Sequence, residues 1–193
     1  MMTALAVIAS PSFAQQAQPK AQPKGQTPPA QQKGGTPPAG QQQGDQQPQL
    51  TYSPWTKVCQ KAGPEANAKR LCFIGKDGKI DSGQPIVAAV LIEPEGEPRK
   101  VLRVTLPLGM ALQPGTRVIV DSGQPVTAPY VICFPNGCMA DYEASGELIG
   151  KMKTGQNLHV QGFNGQGQPV SLALPLGDFA KSYDGPATEP PKQ

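Results

Sequence analysis

The sequence predicts an all-β sandwich, on three observations. Its apolar residues fall in short runs of strand length, many of them alternating with polar ones. Gly, Pro, Asn and Asp recur between those runs as turn signals. The four cysteines, Cys59, Cys72, Cys133 and Cys138, form an even set suited to clamping neighbouring strands. Together they give about 130 ordered residues in a sandwich of about eight to ten strands with one or two short helices.

Met1 to Ala14 is a short apolar segment closing with Ser12-Phe13-Ala14, the small-x-small form of a signal-peptidase site, and reads as an export signal. No Lys or Arg precedes it, as expected if the start codon is assigned too far downstream and the basic region is missing. No stretch reaches the roughly 20 apolar residues of a membrane-spanning helix. From Gln15 to Gln49 the chain is Gln, Pro, Gly, Lys, Ala and Thr with a single Asp45, too polar to bury a core. Residues 15–50 are therefore expected to be a disordered linker, spanning on the order of 33 Å as a flexible coil.

Order is expected over 51–183. Tyr52 to Gln60, with the only tryptophan, Trp55, reads as a first strand. Lys69 to Ile74 reads as a second, stopped by Gly75 and an Asp77-Gly78 turn. Ile86 to Ile92 is continuously apolar and β-branched, which marks a central strand. Val101 to Leu106 alternates, with Leu102, Val104 and Leu106 facing inward and Pro107 ending it. Val118 and Val120 point inward from the next run.

Tyr130 to Phe134 is apolar on both faces, Tyr130, Ile132 and Phe134 on one and Val131 and Cys133 on the other, which places it deep in a sheet. Pro135-Asn136-Gly137 then reverses the chain, the Asn-Gly pair tolerating positive φ. Ser145 to Gly155 has a capping Ser, an early acid, late lysines and a closing Gly, the marks of a short helix with Leu148, Ile149 and Met152 on one side. Gln156 to Phe163 alternates, and Leu172 and Leu174 point inward from the last strand. Asp178 to Tyr183 forms one closing turn, and 184–193 is a loose tail. Asp81-Ser82-Gly83-Gln84-Pro85 recurs at Asp121 to Pro125 and is echoed at Gly167-Gln168-Pro169. The flanks do not match, so this is reused turn chemistry.

Little points to a reaction. The net charge is +3, without a basic stripe interleaved with aromatics, so no nucleic-acid partner is implied. His159 alternates with Leu158 and Val160 and faces away from them, and no G-x-S-x-G accompanies it. Lys153-Thr154-Gly155 imitates a β-lactamase element, but the S-x-x-K and S-D-N partners are missing. No Gly-rich phosphate loop follows a strand, and no C-x-x-C is present for disulfide exchange or zinc. The sequence thus gives no catalytic, cofactor or metal site. The least implausible acids are Asp141 and Glu143, which flank Tyr142; solvated surface carboxylates are the commoner reading of such a pair.

Trp55 with Cys59, then Cys72, Leu106-Pro107-Leu108-Gly109-Met110, Cys133 with Gly137-Cys138, and Leu174-Pro175-Leu176 with Phe179 resemble, in their order and spacing, the invasion-associated locus B family. The resemblance covers roughly Tyr52 to Tyr183. It implies an exported bacterial protein with an immunoglobulin-like β-sandwich, in a family named for helping bacteria enter host erythrocytes. It carries no catalytic residues over to this chain.

The expected protein is a non-enzymatic binding module, periplasmic or secreted, with a macromolecular partner in the envelope or on a host cell. The alternative is an enzyme or enzyme inhibitor acting on envelope polymers. Of the possible cysteine connectivities, Cys59 with Cys72 and Cys133 with Cys138 is expected, because both close short loops between neighbouring antiparallel strands. The first crosslink stabilises by roughly 3 kcal/mol in the loop-entropy picture, the second by less. Non-reducing peptide mapping of the exported protein should recover these two pairs, with no titratable thiol and no bound zinc; Cys59 joined to Cys133 would refute the pairing.

Overall fold

The computed structural model describes residues 49–65 and 68–188. The expected export signal, the linker as far as 48 and the last five residues of the tail, 189–193, lie outside them. The described chain is two antiparallel sheets face to face with two short helices, an all-β sandwich as the sequence predicts.

The strands run β1 (Thr51–Tyr52), β2 (Thr56–Lys61), β3 (Arg70–Lys79), β4 (Pro85–Pro94), β5 (Val101–Leu106), β6 (Thr116–Val120), β7 (Val126–Ala128), β8 (Tyr130–Phe134), β9 (Gly137–Glu143), β10 (Asn157–Phe163) and β11 (Pro169–Pro175). Helix α1 (Gly146–Thr154) joins β9 to β10, and α2 (Phe179–Asp184) follows β11. The larger sheet has seven strands in the order β1-β3-β4-β5-β9-β8, with β2 also pairing to β3. The smaller has four, β11-β10-β6-β7. Eleven strands exceed the expected number because Ser53-Pro54-Trp55 divides the first strand and Val126–Ala128 adds a short one.

The core lies between the sheets. Ile74, Leu91, Leu102, Val104 and Leu106 from the larger sheet meet Val118, Leu158, Val160 and Leu174 from the smaller, all buried. Ser145 caps α1 by accepting from the Leu148 N–H, and Leu148, Ile149 and Met152 turn inward as the helical spacing requires. Phe179 of α2 is fully buried against Trp55, ring centroids 4.9 Å apart and nearly perpendicular. Both Leu-Pro-Leu-Gly segments end strands: β5 stops at Leu106 and β11 at Pro175.

Three expectations are corrected. The second strand does not stop at Gly75 or turn at Asp77-Gly78; β3 runs on to Lys79, and the reversal falls at 81–84, where Gly83 has φ 82°. Gly78 is needed inside the strand, since a Cβ there would lie 2.9 Å from Val87 and 3.0 Å from the Tyr52 ring. Tyr130 to Phe134 does not lie deep in a sheet. β8 is the outermost strand beside β9, and Val131, Ile132 and Phe134 are about half exposed. The cause is topological: the chain leaves the small sheet at Ala128 and, after Pro129 alone, enters the large one at its margin. Finally, the hairpin loop is Pro135 and Asn136, while Gly137 already pairs with Phe134.

The repeated turn motif does serve as hairpin chemistry, with one difference. Asp121 adopts φ 52°, and its carboxylate accepts from the N–H groups of Gln156 at 3.0 Å and Asn157 at 2.8 Å. It thereby pins the start of β10 to the end of β6. After α2 the chain is also held, because the Thr188 N–H donates to the Lys57 carbonyl at 2.8 Å.

Two measurements test this packing. Gly137 has φ 136°, and a Cβ there would sit 2.5 Å from the Leu106 carbonyl oxygen. Gly137→Ala should cost on the order of 2 to 4 kcal/mol in denaturant unfolding. Tyr142 is buried with its hydroxyl against Thr116, and burial pushes its phenol up to about 12, against the downward pull of that hydrogen bond. The neutral phenol is the form that folding favours, so its contribution is intact below about pH 10, where the unfolded side chain titrates. Above that it is lost by up to ~1.4 kcal/mol per pH unit until the folded group ionises. Tyr142→Phe should lack this alkaline loss, read as the difference between the two stability curves from pH 9 to pH 12.

Candidate interaction surface

Cross-strand partners in an antiparallel ladder share a face, so the registers sort the larger sheet into an inner and an outer set. The inner rows include Ile74, Leu91, Leu102 and Tyr142 in one line and Ala89, Val104 and Ala140 in the next. All of these are buried beneath the smaller sheet.

The outer rows have no such cover from the smaller sheet. Phe73, Ile92, Val101 and Glu143 line up across β3, β4, β5 and β9. Gly75, Val90, Arg103 and Asp141 form the next row, followed by Asp77, Ala88, Thr105, Met139 and Ile132. This face is largely apolar and only partly buried. The continuous apolar run along β4 is the central strand the sequence predicts, between β3 and β5, and the smaller sheet covers one of its two faces. Sheet faces of this composition mark interaction sites when left open.

Two ion pairs involve its residues: Asp77 lies 3.2 Å from Lys79 near the start of β4, and Arg103 meets Asp141 at the centre. Arg103 grips Asp141 with both arms of its fork, Nε to Oδ1 at 2.7 Å and Nη2 to Oδ2 at 2.7 Å. The hydrogen bonds that Arg103 donates to Asp141 raise its pKa, outweighing the opposing desolvation. Asp141 is therefore occupied by Arg103, while Glu143 ends the neighbouring row and is exposed. The two acids singled out in the sequence share a strand face, but the structure gives Asp141 a bidentate cationic partner that Glu143 lacks.

The other ionisable clusters are likewise paired. A cleft beside the Cys59 and Cys72 pair is lined by Arg70, Glu93, Glu95, Glu97 and Lys100. Of its acids, Glu93 lies 2.5 Å from Lys100, Glu97 lies 2.6 Å from Lys69 outside the cleft, and Glu95 accepts from the Arg70 backbone N–H. Burial pulls the Lys100 pKa down, yet its hydrogen bonds to Glu93 and to the Tyr183 hydroxyl leave it raised overall. Tyr183 gathers Lys57, Lys100 and Lys153 around its ring, the last 4.2 Å from the centroid, and Lys153 also pairs with Asp184. His159 stands between Ile119 and Ala173 across the ladder, facing away from the buried Leu158 and Val160.

Cys59 lies opposite Cys72, and Cys133 opposite Cys138, each pair at disulfide distance with Sγ atoms 1.95 Å and 2.02 Å apart. Among the described residues no group of three or more His, Cys, Asp or Glu side chains could hold a metal ion, and no helix is long and apolar enough to cross a membrane.

The family profile described as invasion associated locus B protein matches residues 55–187. Among solved structures, the crystal structure of invasion associated protein B from Bartonella henselae superposes with a TM-score of 0.55 at 19% identity, covering 59% of this chain and 82% of that one. At that identity the likeness establishes the fold. A search of curated proteins found no match. The profile takes in every strand but β1, from the buried Trp55 to the end of α2 and beyond, and the chain belongs to the invasion associated locus B family.

Proposed function

We propose that this protein is an exported binding module without catalytic activity, which presents the outer face of its larger sheet to a macromolecule of the envelope or of a host cell. The observation that carries the reading is that open face: largely apolar rows on the central strands, with the Arg103 and Asp141 pair at their middle and Asp77 and Glu143 at their ends. Catalysis needs a polar group free to move a proton or attack a carbon. In the clusters described above Glu93, Glu97, Asp141 and Asp184 each bind a lysine or arginine instead. A periplasmic or secreted location is supported by the two cysteine pairs and by the signal-like start of the sequence. The Gln/Pro-rich segment between them would give the module reach. A role in host invasion is supported by family membership alone.

The test is capture from envelope extract and from host-cell membranes by the immobilised full chain. Saturable capture should weaken at least tenfold in Val90→Lys and Ile92→Lys, which place a charge on the open face, and persist in Asp141→Asn and Glu143→Gln. Turnover of a cell-wall polymer that either acid substitution abolishes would overturn the proposal in favour of an enzyme.

A further inference from the structure

The outer face of the smaller sheet differs in character from that of the larger. Val118, Val120, Leu158, Val160, Leu172 and Leu174 turn inward, so the residues that alternate with them face outward. No second layer covers these among the described residues, and each stays partly or fully exposed. Ser171, Gln161, Arg117 and Thr127 form one outward row across all four strands, with a hydrogen-bonding side chain at every position. That row spans about 14 Å, three strand spacings. Ala173, His159 and Ile119 form the row on one side of it, and Pro169 and Phe163 the row on the other.

A solvated surface ordinarily mixes charges of both signs. The four strands of this sheet hold no Asp, Glu or Lys, and Arg117 is their one Arg. Arg117 is also held in position. Its Nε donates to Gln161 Oε1 at 2.6 Å, and Gln161 Nε2 donates in turn to Ser171 Oγ at 3.1 Å. The guanidinium is thereby anchored by one edge, and no carboxylate pairs with it among the described residues. The nearest acid along the chain, Asp121, is occupied by the N–H groups of Gln156 and Asn157. Arg103 on the other sheet, by contrast, spends its fork on Asp141.

We infer that this face binds an acidic polysaccharide, with Arg117 taking a sugar carboxylate and the polar row taking hydroxyls along the sugar chain. The charge sets the sign of the ligand: an oriented cation on a face without acids attracts an anion, and the guanidinium fork matches a carboxylate in two parallel hydrogen bonds. The rest of the face sets the class. Sugar chains present hydroxyls at the edges of their rings and C–H groups on the ring faces. Gln161, Ser171 and Thr127 suit the former, and the flanking Phe163, Pro169 and Ile119 the latter. An extended acidic peptide is held best along an open strand edge. Here β11 begins and ends in proline, and the short β7 lies between Pro125 and Pro129.

The experiment is calorimetric titration of the full-length, oxidised chain with a galacturonic acid oligomer of defined length, over about 10 µM to 10 mM. Binding should saturate. The same oligomer with its carboxylates methyl-esterified, and a glutamate oligomer of equal charge, should each bind at least tenfold more weakly. Arg117→Gln should lose at least tenfold while keeping the parent circular dichroism spectrum, and Arg117→Lys most of that, since an ammonium keeps the charge without the fork. Arg99→Gln, which removes the same charge from the segment before β5, should bind like the parent. In the parent chain, the NMR resonances of the Arg117 Nε–H and the Gln161 side-chain amide should shift on titration, a readout that requires no variant to fold. Absence of saturable binding, an esterified or glutamate oligomer bound as tightly, binding that survives Arg117→Gln, or an equal loss in Arg99→Gln would each overturn the inference. Val90→Lys and Ile92→Lys lie on the larger sheet and should leave this binding unchanged, so its failure and that of partner capture are read separately.

Discussion

Trp55 is the residue through which the margins of this sandwich are tied together. Its indole N–H donates to the Pro175 carbonyl at the end of β11, its ring makes an edge-type contact with Phe179, and its own carbonyl accepts from Ser182 of α2. One side chain thus connects the break between β1 and β2, the last strand of the opposing sheet and the closing helix. Tyr52 repeats the link a turn earlier by donating to the Ala173 carbonyl. Burying an aromatic ring contributes more than most core positions, and here its polar atom is also satisfied, so that removing it would leave both a void and an unpaired carbonyl.

Much of this was legible because it is local. Alternation in Val101 to Leu106 fixed which side chains turn inward, and Ser145 with Gly155 bounded α1, since periodicity and capping act within a few residues. What escaped depends on partners distant in the chain. Gly78 looks like a turn until the Tyr52 ring is laid on it, and the β8 run looks like a central strand until the crossing at Pro129 sends it to the margin. Apolar residues on both faces of a strand record that both faces have something to meet, not that this chain supplies it.

The candidate site divides in the same way. Asp141 and Glu143 were visible as a pair of acids, but the Arg103 fork that occupies Asp141 comes from a strand 38 residues away, and only the β5 to β9 register brings it there. The open face was present in the sequence as the unbroken apolar run of β4. Periodicity could not tell whether its second face meets another layer of this chain or a different molecule.

The two cysteine pairs lie within one sheet, β2 with β3 and β8 with β9, and neither joins the sheets to each other. Their placement has a mechanical consequence. If the protein is anchored through the segment preceding β1, a pull reaches the short β1 pairing first and peels it from β3, one rung after another. It then arrives at β2, where the Cys59 to Cys72 bond acts as a covalent stop a few residues in. Force applied from the amino-terminal side passes across that bond into β3, and the chain between the two cysteines is spared the load.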